Sequence, residues 1–208
     1  MIRKNFLRDY EFSLLLGHSL ISYESSKLNT DNTALVILDM QGFFLDKSSS
    51  AFIPSATSIT GSIISMMDAF TQSRKPVIIT RHINNESNAG MMKERFSKII
   101  NSESEMSLID SRFKREGVEI LEKTQFNAFY NSQLEHYLNN GNINKIILTG
   151  VMTERCVSTT AREAFVRGYE VIIPVDCTAT YYREVYESAL LSLSNSVAAL
   201  TLVEDIDV

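Results

Sequence analysis

Scarcity is the most informative property of this chain of 208 residues, which has two cysteines, three histidines, three prolines and no tryptophan. Cys156 and Cys177 stand at a strand-to-helix turn and at the end of the next strand, which is no disulfide framework, so both read as thiols in a reducing cytoplasm. His18, His82 and His136 fall in the N-terminal stretch, at a strand end and in a helix, and no two have ligand spacing. No metal is expected, and His82, followed by "INNESN", reads as bonded to a loop. Neither G-x-x-x-x-G-K-[ST] nor G-x-G-x-x-G occurs after any strand, so no nucleotide cofactor is implied, and no cofactor of any kind is expected. Positive charge is not in excess either: the formal net charge is -5, without the basic footprint that nucleic acid or anionic lipid requires. Nothing approaches the roughly 20 apolar residues of a spanning helix. Arg3 and Lys4 do precede the apolar "FSLLLGHSLISY", but Asp9 and Glu11 interrupt the pattern and no small-residue cleavage site follows, so it is not read as a secretion signal.

What the chain does contain is 44% hydrophobic and 22% charged residues, the balance of one ordinary globular domain. Residues 1–31, ending in the polar "ESSKLNTDN", read as an extension that packs on the domain or on a neighbouring subunit. Its apolar Phe12 and Leu14 to Leu16 suggest a part in assembly rather than chemistry. From residue 33 the chain alternates β-branched runs with amphipathic stretches, the pattern of βαβ units. Strands are expected at 33–39, 76–82, 118–123, 145–150, 170–176 and 198–203, and helices at about 56–73, 130–140, 156–168 and 183–194. Because the strands are continuous apolar runs, both faces should be covered. The fold expected over 32–208 is α/β, a three-layer α/β/α sandwich with a six-stranded, mostly parallel sheet. The polar segment 84–115, with Met91, Met92 and Phe96 at helical spacing, is expected to form a covering helix plus a loop.

In open α/β sheets ligands bind beyond the carboxyl ends of the strands. Here those ends carry Asp39, His82, Lys123, the "GVMTERC" turn and Asp176. A phosphoryl-accepting receiver domain would be shorter and would leave Cys156 unexplained, and "DMQ" lacks the second Asp of the aspartate-nucleophile phosphatases. A Cys at a helix start meets unpaired amides and the positive end of the dipole, which favour thiolate and can hold an oxyanion. By position alone Cys156 reads equally well as a small buried hydrophobe. Asp39 and Lys123 on the same edge shift that balance, because a proton acceptor, a cation and a sulfur are what attack on a carbonyl needs. Cys177 reads as packing, and Asp176 as ordering the loop before the helix at 183–194.

Three stretches, "ALVILDMQGFF", "EKTQFNAFYNSQLEHYL" and "TGVMTERCVSTTAREAFVRGYEVIIPVD", together resemble the isochorismatase-like cysteine hydrolases over about residues 33–203. The resemblance implies a catalytic triad of Asp39, Lys123 and Cys156, and a cis peptide between Val151 and Met152 that aims amides of Met152 and Cys156 at an oxyanion. It implies hydrolysis of a C–N bond in a small amide, carbamoyl or ureide compound through a thioester. The family's nicotinamidase branch carries an Asp-and-His metal site after the second strand; "RHINNESNAG" has one His and no Asp, which disfavours that branch. Its true isochorismatases cleave a vinyl ether and typically lack the Cys retained here. Vinyl-ether hydrolysis and a silent binding or redox-sensing role stay open as alternatives. Phe44, His82, Phe126 and Tyr181 are the expected pocket walls, and a small-molecule substrate and a homo-oligomer, dimer or tetramer, the expected partners.

Overall fold

A computed structural model describes residues 3–17, 28–96 and 98–208; His18 lies outside the described residues, and so does the Leu14 side chain. The strands are β1 (Leu28–Asn29), β2 (Thr33–Leu38), β3 (Val77–His82), β4 (Glu119–Lys123), β5 (Lys145–Val151), β6 (Glu170–Pro174), β7 (Thr178–Ala179), β8 (Ala199–Thr201) and β9 (Ile206–Asp207). Between them lie the helices α1 (Ser13–Leu16), α2 (Gly42–Leu45), α3 (Ala56–Gln72), α4 (Met92–Arg95), α5 (Leu134–Asn140), α6 (Ser158–Val166) and α7 (Arg183–Ser194). The main sheet runs β4-β3-β2-β5-β6-β8 with every pairing parallel, and helices flank it to give the three-layer sandwich.

The sheet has seven strands rather than the expected six. β6 stays beside β5 only as far as Ile147↔Ile172, then Pro174 and a 3₁₀ turn carry the chain sideways. β7 takes over, pairing Gly150↔Thr178 and Val151↔Ala179. A two-residue strand has no periodicity to read. β2 is central and all six of its residues are buried, which is why "TALVIL" is apolar throughout. On α3, Ile59, Ile63, Met66, Met67 and Phe70 form the buried stripe at helical spacing, packed against β2, β3 and β5. Each such side chain contributes roughly 1.5–3 kcal/mol by leaving water.

Segment 84–115 departs from its expectation. Among its described residues only Met92–Arg95 is α-helical, followed by 3₁₀ turns at Glu105–Ser107 and Ser111–Phe113. Met91 is 76% exposed while Met92 is buried, so the apolar spacing does not mark a long covering helix.

The N-terminal stretch lies on its own chain. Leu7 and Leu15 are buried, Phe6 and Tyr10 set their rings edge-on to Tyr186 of α7, and Phe12 packs against the core rather than standing free. The Asn5 amide donates to Thr57 and Ser58 of α3, 3.0 Å in each case. β1, within the expected extension, pairs in parallel with β9. Among the described residues no helix is long and apolar enough to cross a membrane.

Candidate active site

Asp39, Lys123 and Cys156 come to the same end of the sheet because β2, β3, β4 and β5 are parallel and in register. Leu38 lies opposite both Thr80 and Gly150, and His82 opposite Lys123. Asp39 follows β2 with φ at 56°, a left-handed conformation that Asp tolerates better than most residues. Its carboxylate accepts from the Thr80 hydroxyl at 2.6 Å and pairs with Lys123 Nζ at 2.8 Å. Lys123 ends β4 and is 1% exposed, yet its ammonium is well satisfied: besides Asp39 it has the Gln125 carbonyl at 3.0 Å, His82 Nδ1 at 3.1 Å and Cys156 Sγ at 3.4 Å within reach, four acceptors sharing three hydrogens. Burial on its own would lower the Lys123 pKa, but Asp39 and then Cys156 reverse this and hold it above its ordinary value.

Cys156 does not open an α-helix, as its sequence position suggests. The turn begins earlier, at Thr153, as a π-helical segment through Val157 in which the Met152 carbonyl accepts from both Arg155 and Val157, and α6 follows from Ser158. The thiol is pushed up to about 12, chiefly by burial and next by the Asp39 charge, with Lys123 pulling the other way. It is therefore a protonated thiol at rest rather than a preformed thiolate. The Val151–Met152 peptide is cis. Met152 and Cys156 line the cavity in front of the sulfur, whereas Val151 is fully buried behind it.

That cavity is about 480 Å³, and all four expected wall residues, Phe44, His82, Phe126 and Tyr181, line it. Phe43, Phe96 and Met92 add to its apolar lining. His82 is fixed from two sides. Lys123 donates to Nδ1, so Nε2 carries the hydrogen and donates to Asn84 Oδ1 at 2.7 Å. Burial, then the Lys123 charge, lowers the His82 pKa to about 4, leaving the ring neutral.

Sequence reading missed the residues that hold these groups in place. The buried Gln41 acts as an extra rung: its Oε1 accepts from the His82 amide at 2.8 Å, and its Nε2 donates to the carbonyls of His82 and Ser107. Asn84 ties His82 to the Thr124 carbonyl at 2.7 Å. Both stand beside candidate residues, in "DMQ" and "RHINNESNAG", but only folding supplies their partners. Asp176 does not order the loop before α7; its carboxylate accepts from the Val203 amide at 3.0 Å, tying β6 to the turn after β8. Cys177 is fully enclosed and does not line the cavity.

Asp39, His82 and Cys156 place potential ligand atoms within 4.8 Å of one another. A metal does not fit among them as they stand, because the Lys123 ammonium already contacts all three. A cation there would meet a fixed positive charge.

Among known protein families, the isochorismatase domain matches residues 33–205. Nicotinamidase 3 of Arabidopsis thaliana is 31% identical over 194 residues, covering 89% of this chain and 93% of that protein. The solved cysteine hydrolase from Pseudomonas syringae pv. phaseolicola 1448A superposes with a TM-score of 0.82 at 22% identity, over 89% of this chain and 95% of that one. N-carbamoylsarcosine amidase from Thermoplasma acidophilum has a TM-score of 0.74 at 22% identity, covering 85% of this chain and 99% of that one.

Proposed function

The chain belongs to the isochorismatase family, and on that premise we propose that it is a cysteine-dependent hydrolase cleaving the C–N bond of a small amide, carbamoyl or ureide compound through a thioester on Cys156. The observation that carries this reading is the contact of one buried ammonium with both a carboxylate and the sulfur of Cys156, which lines the cavity.

Each group has a part in the chemistry. As a carbonyl carbon approaches, Sγ attacks it and the thiol proton passes to Asp39. Lys123 steadies the negative charge that grows on sulfur while staying paired with the carboxylate. The oxyanion turns toward the amides of Met152 and Cys156, a type of contact whose loss typically costs about 3 kcal/mol of barrier. Collapse breaks the C–N bond, and Asp39 returns its proton to the departing nitrogen. Water then attacks the thioester while Asp39 takes a proton from it, the C–S bond breaks and the proton returns to sulfur. Holding the thiol neutral until substrate arrives suits this order of events, since a buried free thiolate would need its own compensation.

Ammonia release from primary amides, carbamoyl compounds and ureides tests the reading, with nicotinamide included because of the match to Nicotinamidase 3. Cys156→Ala should abolish turnover, Asp39→Asn should come close to doing so, and rapid quench of the wild type should give a thioester mass. Activity should survive chelation, because Lys123 occupies the place a metal would need. A fully active Cys156→Ala protein without any adduct would instead favour vinyl-ether cleavage, in which Asp39 protonates substrate directly.

A further inference from the structure

The cavity has a charge pattern that the proposed hydrolysis does not use. Among the described residues, Arg3, Arg95, Lys98 and Arg155 line it and no carboxylate does, although the chain as a whole is acidic. Arg155 is partly answered by Glu154 at 3.3 Å and lies over the Phe96 ring. Among the described residues, Arg3, Arg95 and Lys98 form no ion pair. Three cations turned on one concavity without acidic partners repel one another unless an anion joins them.

Arg3 is distinctive because it lies thirty residues ahead of the family-like domain, which begins at residue 33. Its guanidinium stacks 3.8 Å from the centre of the Tyr181 ring, and its Nη1 donates to the Ser50 carbonyl at 2.8 Å. Tyr181 is itself anchored, donating to the Ala51 carbonyl at 2.7 Å. The guanidinium is thus set on a rigid platform with most of its five donors left over. The arm behind it is held by Asn5 on α3 and by the Lys4 carbonyl, which accepts from Ser55.

We propose that the N-terminal arm completes the substrate cavity, and that Arg3, supported by Arg95 and Lys98, selects substrates bearing an anionic group, a carboxylate in the first instance, at the end remote from the scissile carbonyl. The aromatic walls between that collar and Cys156 accommodate a short apolar body. This inference rests on the hydrolase reading for the identity of the scissile end only.

Matched pairs of compounds test it: N-carbamoylglycinate against ethylurea, succinamate against butanamide, and 3-carbamoylbenzoate against benzamide. Wild type should prefer the anionic member of a pair. Arg3→Gln should lower its kcat/KM about tenfold, the size expected for one lost charge-assisted contact, while the neutral member changes less than twofold. Arg3→Lys should recover part of the loss, and added salt should weaken only the anionic member. An equal loss on both members would make Arg3 a structural residue and overturn the proposal while leaving the hydrolase reading intact. Calorimetric binding of the same compounds to Cys156→Ala separates the two ideas without turnover. Carboxylate binding by Cys156→Ala that is lost in the Arg3→Gln/Cys156→Ala double variant, with no turnover of any compound by the wild type, keeps the anion site and removes the hydrolase, whereas binding equal in the two variants, or none, removes the anion site.

Discussion

At neutral pH Cys156 keeps its proton, because burial and the Asp39 charge together outweigh Lys123. Iodoacetamide should therefore modify ligand-free protein slowly at pH 7 and faster as the pH climbs. Cys156, on the cavity, should react ahead of Cys177, which is enclosed and whose pKa burial also raises. Fast labelling of Cys156 at pH 7 would mean that a thiolate already exists, as its place near a helix start suggests. His82 gives a second pH effect of defined sign. Its pKa is about 4 in the fold against 6.5 for a free ring, so between those values the unfolded chain takes up a proton that the fold refuses. Its contribution to stability is complete above about pH 6.5 and is lost as the pH falls toward 4, amounting to about 3 kcal/mol. Urea unfolding of wild type and His82→Gln at several pH values reads this directly. Parallel pH profiles for the two proteins would show that the neutral ring is not acid-sensitive in this way.

Among the elements, β5 has the least room for change. Gly150 has φ at 99°, and a Cβ placed there would lie 2.1 Å from the Leu38 carbonyl oxygen of β2. Gly150→Ala should destabilise by about 4 kcal/mol or more, since backbone strain and a backbone clash act at one site; a melting temperature within a degree of wild type would contradict this. β2 and β5 were legible in sequence because each is a largely apolar, β-branched run sealed on both faces, "TALVIL" and "KIILTG". Asp39 was legible for the same reason, standing where such a run stops, whereas Lys123 was legible only as the last residue of the edge strand β4, whose Glu119, Ile120 and Glu122 are exposed. Segment 84–115 was not, because long-range bonds shape it rather than periodicity. Asn84 donates its amide to the Ile100 carbonyl, Arg81 reaches the Ser102 and Ser107 carbonyls, and Gln41 takes Ser107 as well. Arg3 was read only as a flank of an apolar run, since its place beside Tyr181 exists only after the arm docks.

For the whole molecule, the arm changes what truncation should do. We propose that it stabilises its own domain: removing residues 1–10 takes away Leu7 and the Phe6 and Tyr10 rings, a loss of about 3 kcal/mol or more at the usual value per buried side chain. A fall in melting temperature of about 5–10 °C is expected. Light scattering on the same sample should still give the dimer or tetramer we propose, a multiple of the shortened protomer's mass, where the full chain is 23.5 kDa. A monomer from the truncated chain with an unshifted melting point would return the arm to an assembly role. The strand order carries a further consequence, for synthesis. β2 sits between β3 and β5, and Thr33 pairs with Lys145, so the central strand waits for a partner made far later in translation. Until then its Leu, Val and Ile row has one open edge, and contacts of such sequence separation form slowly. A nascent chain halted before residue 145 already carries Asp39 and Lys123 but neither Cys156 nor the wall behind it. Prematurely ended chains should therefore be sticky clients of chaperones and proteases rather than weak enzymes.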